Sequence, residues 1–276
     1  MKVEMLSFID RQSPIHSLRG ATKLLCFLMW TVAVMLTYDT RVLVVLFVLS
    51  IILFLVSRVK LREVGFVLGL ILFFLFLNTL LIYVFSPQEG VKIYGSETIL
   101  LEGFGRYNVT AEQLFYLFNI TLKYVTVIPA ALLFIVTTHP SEFASSLNRI
   151  GVNYKIAFSV AIALRYIPDV QKDFRTIAIA QQAKGIDLSS KEKLGKRIKN
   201  AAAIIVPLIY SSLDRIETIS NVMELRGFGK HKKRTWYSTK PFGWGDYFAL
   251  GLVVFLLVAS LVITFYDGNR FYNPWK

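Results

Sequence analysis

Two short stretches place a basic residue directly before a glycine, at points where long helical patterns stop. They are Ala183-Lys184-Gly185 and Leu225-Arg226-Gly227, which we call the lysine tip and the arginine tip. Glycine takes the left-handed conformation that closes a helix, and a cation beside it offsets the negative end of the helix dipole. Helix-end chemistry alone explains one such stretch. Two matched endings favour a further function, because a cation projecting from a helix tip is well shaped to enter a groove lined by carboxylates.

Two long helices must position these tips. The first is predicted to run from Tyr154 to Gly185 and the second from about residue 191 to Arg226. Each has about 30 to 36 residues and reaches on the order of 45 to 50 Å, which is more than the bilayer core. An interior proline removes a helical hydrogen bond, so bends are predicted at Pro168 and Pro207.

Charged residues are spread along both long helices, so we expect them at or below the cytoplasmic interface rather than buried as plain spans. A short amphipathic helix over residues 141–150 is predicted to precede them. Ser189 or Ser190 is the candidate N-cap of the second long helix.

The composition places the chain in a membrane. Hydrophobic residues make up 55% of its 276 residues, charged residues only 18%, and the mean hydropathy is +0.55. These values exclude a soluble globular domain. The formal charge of +13 is attributed to the cytoplasmic excess of Lys and Arg that fixes membrane topology, and no nucleic-acid partner is predicted, because the basic clusters flank apolar runs.

Five membrane spans are predicted, at residues 24–38, 42–56, 64–85, 111–137 and 248–266. The first two are at the short end of the 17 to 25 residues that a spanning helix needs, or together form one tilted hairpin. The glycine-rich segment 86–110 is predicted to be an external loop with a short hairpin. Trp236, Tyr237, Trp244 and Tyr247 are typical of an interfacial aromatic belt before the last span.

The expected architecture is an all-α integral membrane protein of about five transmembrane helices plus a cytoplasmic coupling region of one short and two long helices. Residues 1–137 would form a membrane region with four transmembrane helices, 138–235 the coupling helices, and 236–276 the last transmembrane helix and an external tail. Basic residues at 58–62 and 230–234 mark the cytoplasmic side. With five spans, the amino terminus is predicted to be cytoplasmic and the carboxyl terminus external.

A second function class remains open at this point, a membrane enzyme acting on a lipid or polyprenyl phosphate. It would need an acid-base or metal-binding cluster, and its candidates on the long helices are Asp169, Asp173, Asp214 and Glu217. Basic neighbours at helical spacings favour ion pairs instead; they are Arg165, Lys172, Arg175 and Arg215.

Other catalytic chemistry finds little support in the sequence. No Gly-x-x-x-x-Gly-Lys-Ser/Thr phosphate loop occurs, so the chain is not expected to hydrolyse ATP by that route. His16, His139 and His231 lack metal-ligand spacing, and Cys26 is the one cysteine. No metal and no cofactor is therefore predicted.

Several runs of residues, together with the paired tips, resemble the transmembrane T component of energy-coupling factor transporters over nearly the whole chain. The runs are Leu18-Arg19-Gly20-Ala21-Thr22-Lys23-Leu24, Arg165-Tyr166-Ile167-Pro168, Ala180-Gln181-Gln182-Ala183-Lys184-Gly185, Val206-Pro207-Leu208 and Met223-Glu224-Leu225-Arg226-Gly227-Phe228-Gly229.

The resemblance implies a non-catalytic subunit that works like a lever. In that family the T component joins a small substrate-binding membrane protein, the S component, to two ATPases, and paired Ala-Arg-Gly-type endings dock into grooves on those ATPases. Carried over by position, the lysine tip (Ala183, Lys184, Gly185) would enter one ATPase and the arginine tip (Leu225, Arg226, Gly227) the other. ATP hydrolysis in the partners would then drive uptake of a vitamin or a transition-metal ion, chosen by the S component.

The chain departs from the family pattern at three places. Lys184 replaces the usual arginine, which gives up the bidentate fork to a carboxylate and leaves a point charge. Leu225 replaces the usual small residue, and Arg19-Gly20 stands where the family has Asp-Pro.

Overall fold

The computed structural model describes residues 11, 13–103, 107–186, 194–231, 236, 242–266 and 270–275. Within these residues the regular secondary structure is helical apart from an isolated bridge between Tyr38 and Phe271 and one small antiparallel sheet, in which β1 (Ile99–Leu101) pairs with β2 (Val109–Thr110). In chain order the helices are α1 (Pro14–Ser17), α2 (Gly20–Leu36), α3 (Thr40–Val56), α4 (Leu61–Phe85), α5 (Glu89–Tyr94), α6 (Ala111–Thr137), α7 (Pro140–Arg149), α8 (Tyr154–Ala183), α9 (Leu194–Leu225) and α10 (Trp244–Tyr266). The predicted all-α membrane class is confirmed.

Three of the described helices, α4, α6 and α10, are long and apolar enough to cross a membrane. Helices α2 and α3 are also apolar, but each has only 17 residues. Helix α2 begins at Gly20 and ends at Leu36, so it lies slightly earlier in the chain than the predicted span 24–38. The candidate N-caps Ser189 and Ser190 fall outside the described residues.

The described residues fall into two compact units. Those within Met1–Glu142 and Lys240–Lys276 form the first unit, and those within Phe143–Thr239 form the second. The membrane-spanning candidates belong to the first unit, and the two long helices α8 and α9 belong to the second.

Helix α6 is the centre of the first unit, where it packs against α2, α3, α4 and α5. One apolar cluster joins α2, α3 and α6 through Trp30, Leu43 and Leu122. A second joins α3, α4 and α6 and includes Val64 and Leu132. Polar side chains of α6 are buried as well, and those of Gln113, Asn119 and Lys123 form hydrogen bonds within the protein, which lipid could not supply.

One end of the first unit gathers the connections that follow α2, α4 and α10. The Tyr38 ring lies against the Phe271 ring, tilted by 35°, with 4.6 Å between centroids. Asn273 Nδ2 donates to the Tyr94 carbonyl at 3.1 Å, and the Trp275 ring lies 5.4 Å from the Tyr94 ring. The described parts of segment 86–110 and residues 270–275 therefore lie at the same end.

The opposite end gathers the starts of α2, α4 and α10 and the end of α6. Arg11 forms an ion pair with Glu63, on the first turn of α4. The Arg19 backbone N–H donates to Asp246 Oδ1, on the first turn of α10, at 3.0 Å. Helices α2, α3, α4, α6 and α10 thus run alternately between the two ends, and residues 11 and 270–275 lie at opposite ends.

Buried lysines in the first unit donate hydrogen bonds to carbonyls at helix ends. Lys123 is 4% exposed, and its Nζ donates to the Met35 carbonyl at 2.7 Å, at the last turn of α2. Arg270 donates to the Met35 and Leu36 carbonyls, so two cations serve the end of this short helix. Lys23 Nζ donates to the carbonyl of Thr137, the last residue of α6, at 2.7 Å. Carbonyls at a helix end have no hydrogen-bond donor within their own helix, so the lysines supply the donors that lipid cannot.

The segment 86–110 contains more structure than the predicted loop and hairpin, because α5 lies within it. The Gly90 backbone N–H donates to Gln113 Oε1 at 2.7 Å. A Cβ at Gly90 would lie 2.4 Å from the Glu112 carbonyl oxygen. This glycine therefore permits close packing of α5 on α6 rather than breaking a helix.

Candidate functional site

Helices α8 and α9 of the second unit pack as an antiparallel pair. Gln181 Nε2, near the end of α8, donates to the carbonyl of Ala203, near the start of α9, at 3.1 Å. The Phe228 ring, just beyond α9, lies 5.6 Å from the ring of Tyr154, the first residue of α8. The two tips therefore lie at opposite ends of the pair, separated by roughly 40 Å at 1.5 Å per residue.

Each long helix continues through its proline. Pro168 lies inside α8 and Pro207 inside α9. Each proline lacks the N–H that would close its helical turn, which is the reason to expect a bend there. The two bends remain predictions.

The lysine tip is a Schellman turn. Gly185 has φ +84° and its N–H donates to the Gln182 carbonyl at 2.9 Å, while the Ile186 N–H donates to the Gln181 carbonyl at 3.1 Å. These are the two backbone bonds that define the motif. Lys184 is the C-cap residue and is exposed.

The arginine tip has the same geometry. Gly227 has φ +66° and its N–H donates to the Glu224 carbonyl at 2.8 Å, while the Phe228 N–H donates to the Met223 carbonyl at 2.9 Å. Arg226 occupies the position of Lys184, directly before the left-handed glycine, and is exposed. Leu225 before it is 89% exposed.

The end of α7 shows that this turn does not require a cation. Gly151 has φ +105°, and the bonds from Gly151 N to the Asn148 carbonyl and from Val152 N to the Leu147 carbonyl repeat the pattern. The residue before that glycine is Ile150. A cation at the other two turns therefore adds a positive charge that the fold of the turn does not need, although the charge favours the helix end.

The carboxylates of the alternative enzyme reading do not assemble into a cluster. Arg215 of α9 forms an ion pair with Asp173 of α8 and lies 5.6 Å from the Tyr166 ring centroid. Asp169, Asp214 and Glu217 are exposed. Over the described part of the chain, no group of three or more His, Cys, Asp or Glu residues could hold a metal ion. The ion-pair interpretation is confirmed for Asp173.

Sequence reasoning missed an aromatic cluster beside the arginine tip. The Phe228 ring lies 4.9 Å from Phe158 in addition to its contact with Tyr154. Trp236, grouped with the interfacial belt on sequence grounds, has its ring 6.2 Å from Phe158 and donates from Nε1 to Asn148 Oδ1 at 3.1 Å. The one local signal was the spacing of Tyr154 and Phe158, four residues apart on one helix face.

Comparison with known proteins identifies the family. Residues 11–237 match the family model described as cobalt transport protein, CbiQ. An energy-coupling factor transporter transmembrane protein, EcfT, from Bacillus selenitireducens is 30% identical over 264 residues, which cover 93% of this chain and 94% of that protein. The chain belongs to this family of transporter transmembrane proteins.

Other members of the family match over similar lengths. The EcfT protein of Staphylococcus aureus is 24% identical over 267 residues, 94% of this chain and 96% of that protein. The protein named EcfT 1 of Listeria monocytogenes is 28% identical over 268 residues, 93% of this chain and 95% of that protein. The predicted identity as an energy-coupling factor T component is confirmed, and with it a multi-pass membrane location for a transporter subunit.

Proposed function

We propose that this chain is the non-catalytic coupling subunit of an energy-coupling factor importer. It links a substrate-binding membrane subunit to two cytoplasmic ATP-binding subunits, which form a homo- or heterodimer. ATP hydrolysis in those partners drives uptake of a vitamin or a transition-metal ion. The observation that carries the proposal is the pair of matching cation-bearing turns at opposite ends of the α8–α9 pair.

The docking residues are assigned tip by tip. The lysine tip consists of Ala183, Lys184 and Gly185, and the arginine tip of Leu225, Arg226 and Gly227. Two sites separated by roughly 40 Å suit two binding partners better than one. A cation at an exposed turn can enter a carboxylate-lined groove, where charge-assisted hydrogen bonds are stronger than neutral ones.

The two tips are expected to differ in strength. Arginine forms two parallel hydrogen bonds to a carboxylate, whereas lysine offers a compact, strongly hydrated charge. Truncating one partner of a buried, hydrogen-bonded charge pair costs about 2 to 5 kcal/mol, while an exposed pair contributes roughly 0 to 1 kcal/mol. Arg226→Ala should therefore impair assembly severely, Lys184→Ala mildly, and Lys184→Arg should be tolerated.

The test is retention of the ATP-binding subunits on a tagged complex, together with uptake in cells. Arg226→Glu and Lys184→Glu should be worse than the alanine variants, because a carboxylate opposes both the partner's carboxylates and the negative end of its own helix. Lys172→Glu, at an exposed position on the side of α8, is the matched control and should retain both partners. Full retention and transport by Arg226→Glu would show that the docking assignment is wrong.

The proposed orientation places the amino terminus and both tips in the cytoplasm and the carboxyl terminus outside. It is supported by the alternation of five helices between two ends and by the basic residues at 58–62. In a chain without Cys26, cysteines at Glu97 and Asn273 should react with an impermeant thiol reagent from outside. Cysteines at Arg62 and Lys233 should not, and outside labelling of either would overturn this orientation.

A further inference from the structure

The chain reverses direction immediately after the arginine tip. Gly227 and Gly229 have φ +66° and +91°, a conformation that glycine adopts without strain, and they flank Phe228. This glycine-phenylalanine-glycine reversal turns Phe228 back toward the first turns of α8. Its ring meets Tyr154 at 5.6 Å, edge to face, and Phe158 at 4.9 Å, both within the range of favourable aromatic pairs.

The surface that receives Phe228 is itself held in place. Tyr154 is 5% exposed, and the Asn153 side chain before it accepts a hydrogen bond from the Lys155 N–H as the N-cap of α8. Asn148 Nδ2 donates to the Val152 carbonyl at 2.9 Å, across the turn that joins α7 to α8. The α7–α8 corner is thus tied by local hydrogen bonds on both sides of the glycine turn.

The lysine tip has different chemistry at the matching position. Phe228 follows the glycine of the arginine tip, and Ile186 follows the glycine of the lysine tip. In each Schellman turn this residue donates the longer-range backbone bond. The two tips therefore share a backbone conformation. They differ in the side chain that follows the glycine, because an aliphatic side chain cannot form ring–ring contacts.

We propose that Phe228 is a positioning residue for the arginine tip. By packing on Tyr154 and Phe158 it holds residues 225–227 in one orientation relative to the start of α8, and so fixes the direction in which Arg226 is presented. A displacement of the α7–α8 corner is then passed directly to the partner bound at this tip. The identity of that partner rests on the proposed function, whereas the fixed orientation is a property of this chain alone.

The test measures the mobility of a nitroxide spin label on the full-length chain in lipid nanodiscs, without ATP-binding subunits. In a Cys26→Ser background, one form carries the label on Leu225→Cys and a matched form on Ala183→Cys; both positions are exposed. Phe228→Ala should raise the mobile fraction at 225 by about tenfold, since two aromatic contacts are lost. Phe228→Tyr should restore the immobile spectrum, and the label at 183 should be unaffected by either change.

Two outcomes would overturn the proposal. Either the label at 225 stays equally immobile in Phe228→Ala, or the labels at 225 and 183 change together, which would make Phe228 a residue of general stability. If Phe228→Ala fails to fold, Phe158→Leu removes one of the two ring contacts from the receiving surface and should mobilise the label at 225 alone, to a smaller extent.

A second measurement separates positioning from docking. In the assembled transporter, Phe228→Ala should reduce retention of an ATP-binding subunit and Phe228→Tyr should restore it. Full retention by Phe228→Ala, in a complex that Arg226→Glu disrupts, would show that tip orientation does not govern docking. Retention by Arg226→Glu would instead defeat the proposed function and leave the spin-label result to decide the positioning role.

Discussion

Both units of this protein place cations at helix ends, but those of the first unit are buried and those of the second are exposed. In the first unit, Lys23 and Lys123 are buried and donate to carbonyls at the ends of neighbouring helices. In the second unit, Lys184 and Arg226 are exposed at the ends of their own helices. The electrostatic attraction is the same in both, because each cation faces the negative end of a helix dipole.

The difference shows which cations stabilise the fold and which are available to bind a partner. A buried lysine in an apolar bundle must be fully engaged, since an unpaired charge there is costly. An exposed cation at a helix end gains little from its helix, because solvent screens the interaction. Charge reversal should therefore damage folding in the first unit and partner binding in the second.

The largest effect on stability is expected for Lys123→Glu. The new carboxylate would face the Met35 carbonyl oxygen and the face of the Tyr38 ring, which now lies 3.5 Å from Nζ. A buried charge left without compensation costs about 3 to 5 kcal/mol. Thermal unfolding in detergent should show this loss, whereas Lys172→Glu on exposed α8 should stay within about 0.5 kcal/mol of the parent. Similar melting curves for the two variants would contradict the comparison.

An intermediate effect is expected for Asp246, the acidic counterpart of the buried lysines. Its Oδ1 accepts from the Arg19 N–H and its Oδ2 from the Gly243 N–H, both at 3.0 Å. Each N–H left without an acceptor costs about 1 to 3 kcal/mol. Asp246→Ala should lower the unfolding temperature more than Asp246→Asn, because asparagine keeps one carbonyl oxygen. Equal shifts for both variants would mean that these two bonds are not the source of stability.

The smallest effect is expected for the ion pair between Arg215 and Asp173. Its side chains are 30% and 31% exposed, and such pairs contribute roughly 0 to 1 kcal/mol. A double-mutant cycle with Arg215→Ala and Asp173→Ala, followed by thermal unfolding, should give a coupling energy in that range that weakens with added salt. A coupling above about 2 kcal/mol would place this pair with the buried charges of the first unit.

The tips could be predicted from sequence because their chemistry is local. A left-handed glycine closes a helix through bonds to residues three to five positions back, and both Gly185 and Gly227 do so at the expected residues. Long apolar runs were equally informative, and α6 occupies residues 111–137 as predicted.

Contacts between distant residues carried no such signal. Lys123 stands as an interruption of an apolar run, and its partner Met35 lies 88 positions away. The glycine-rich pattern of segment 86–110 predicts a loop, and nothing local shows that Gly90 within it lets α5 approach α6. Phe228 likewise meets Tyr154 only because α8 and α9 fold back on each other.

The short length of α2 and α3 has a consequence for the lipid around the protein. Seventeen residues give a helix of about 25 Å, while the apolar stretch 64–85 of α4 gives about 33 Å. Apolar side chains of all three helices are exposed, among them Val32, Val45 and Phe73. A hydrocarbon layer of about 30 Å cannot match both lengths, so we expect it to thin beside α3 and α4 to tilt, at a fraction of a kcal/mol per Å. The behaviour of the reconstituted protein should therefore depend on the acyl-chain length of the lipid.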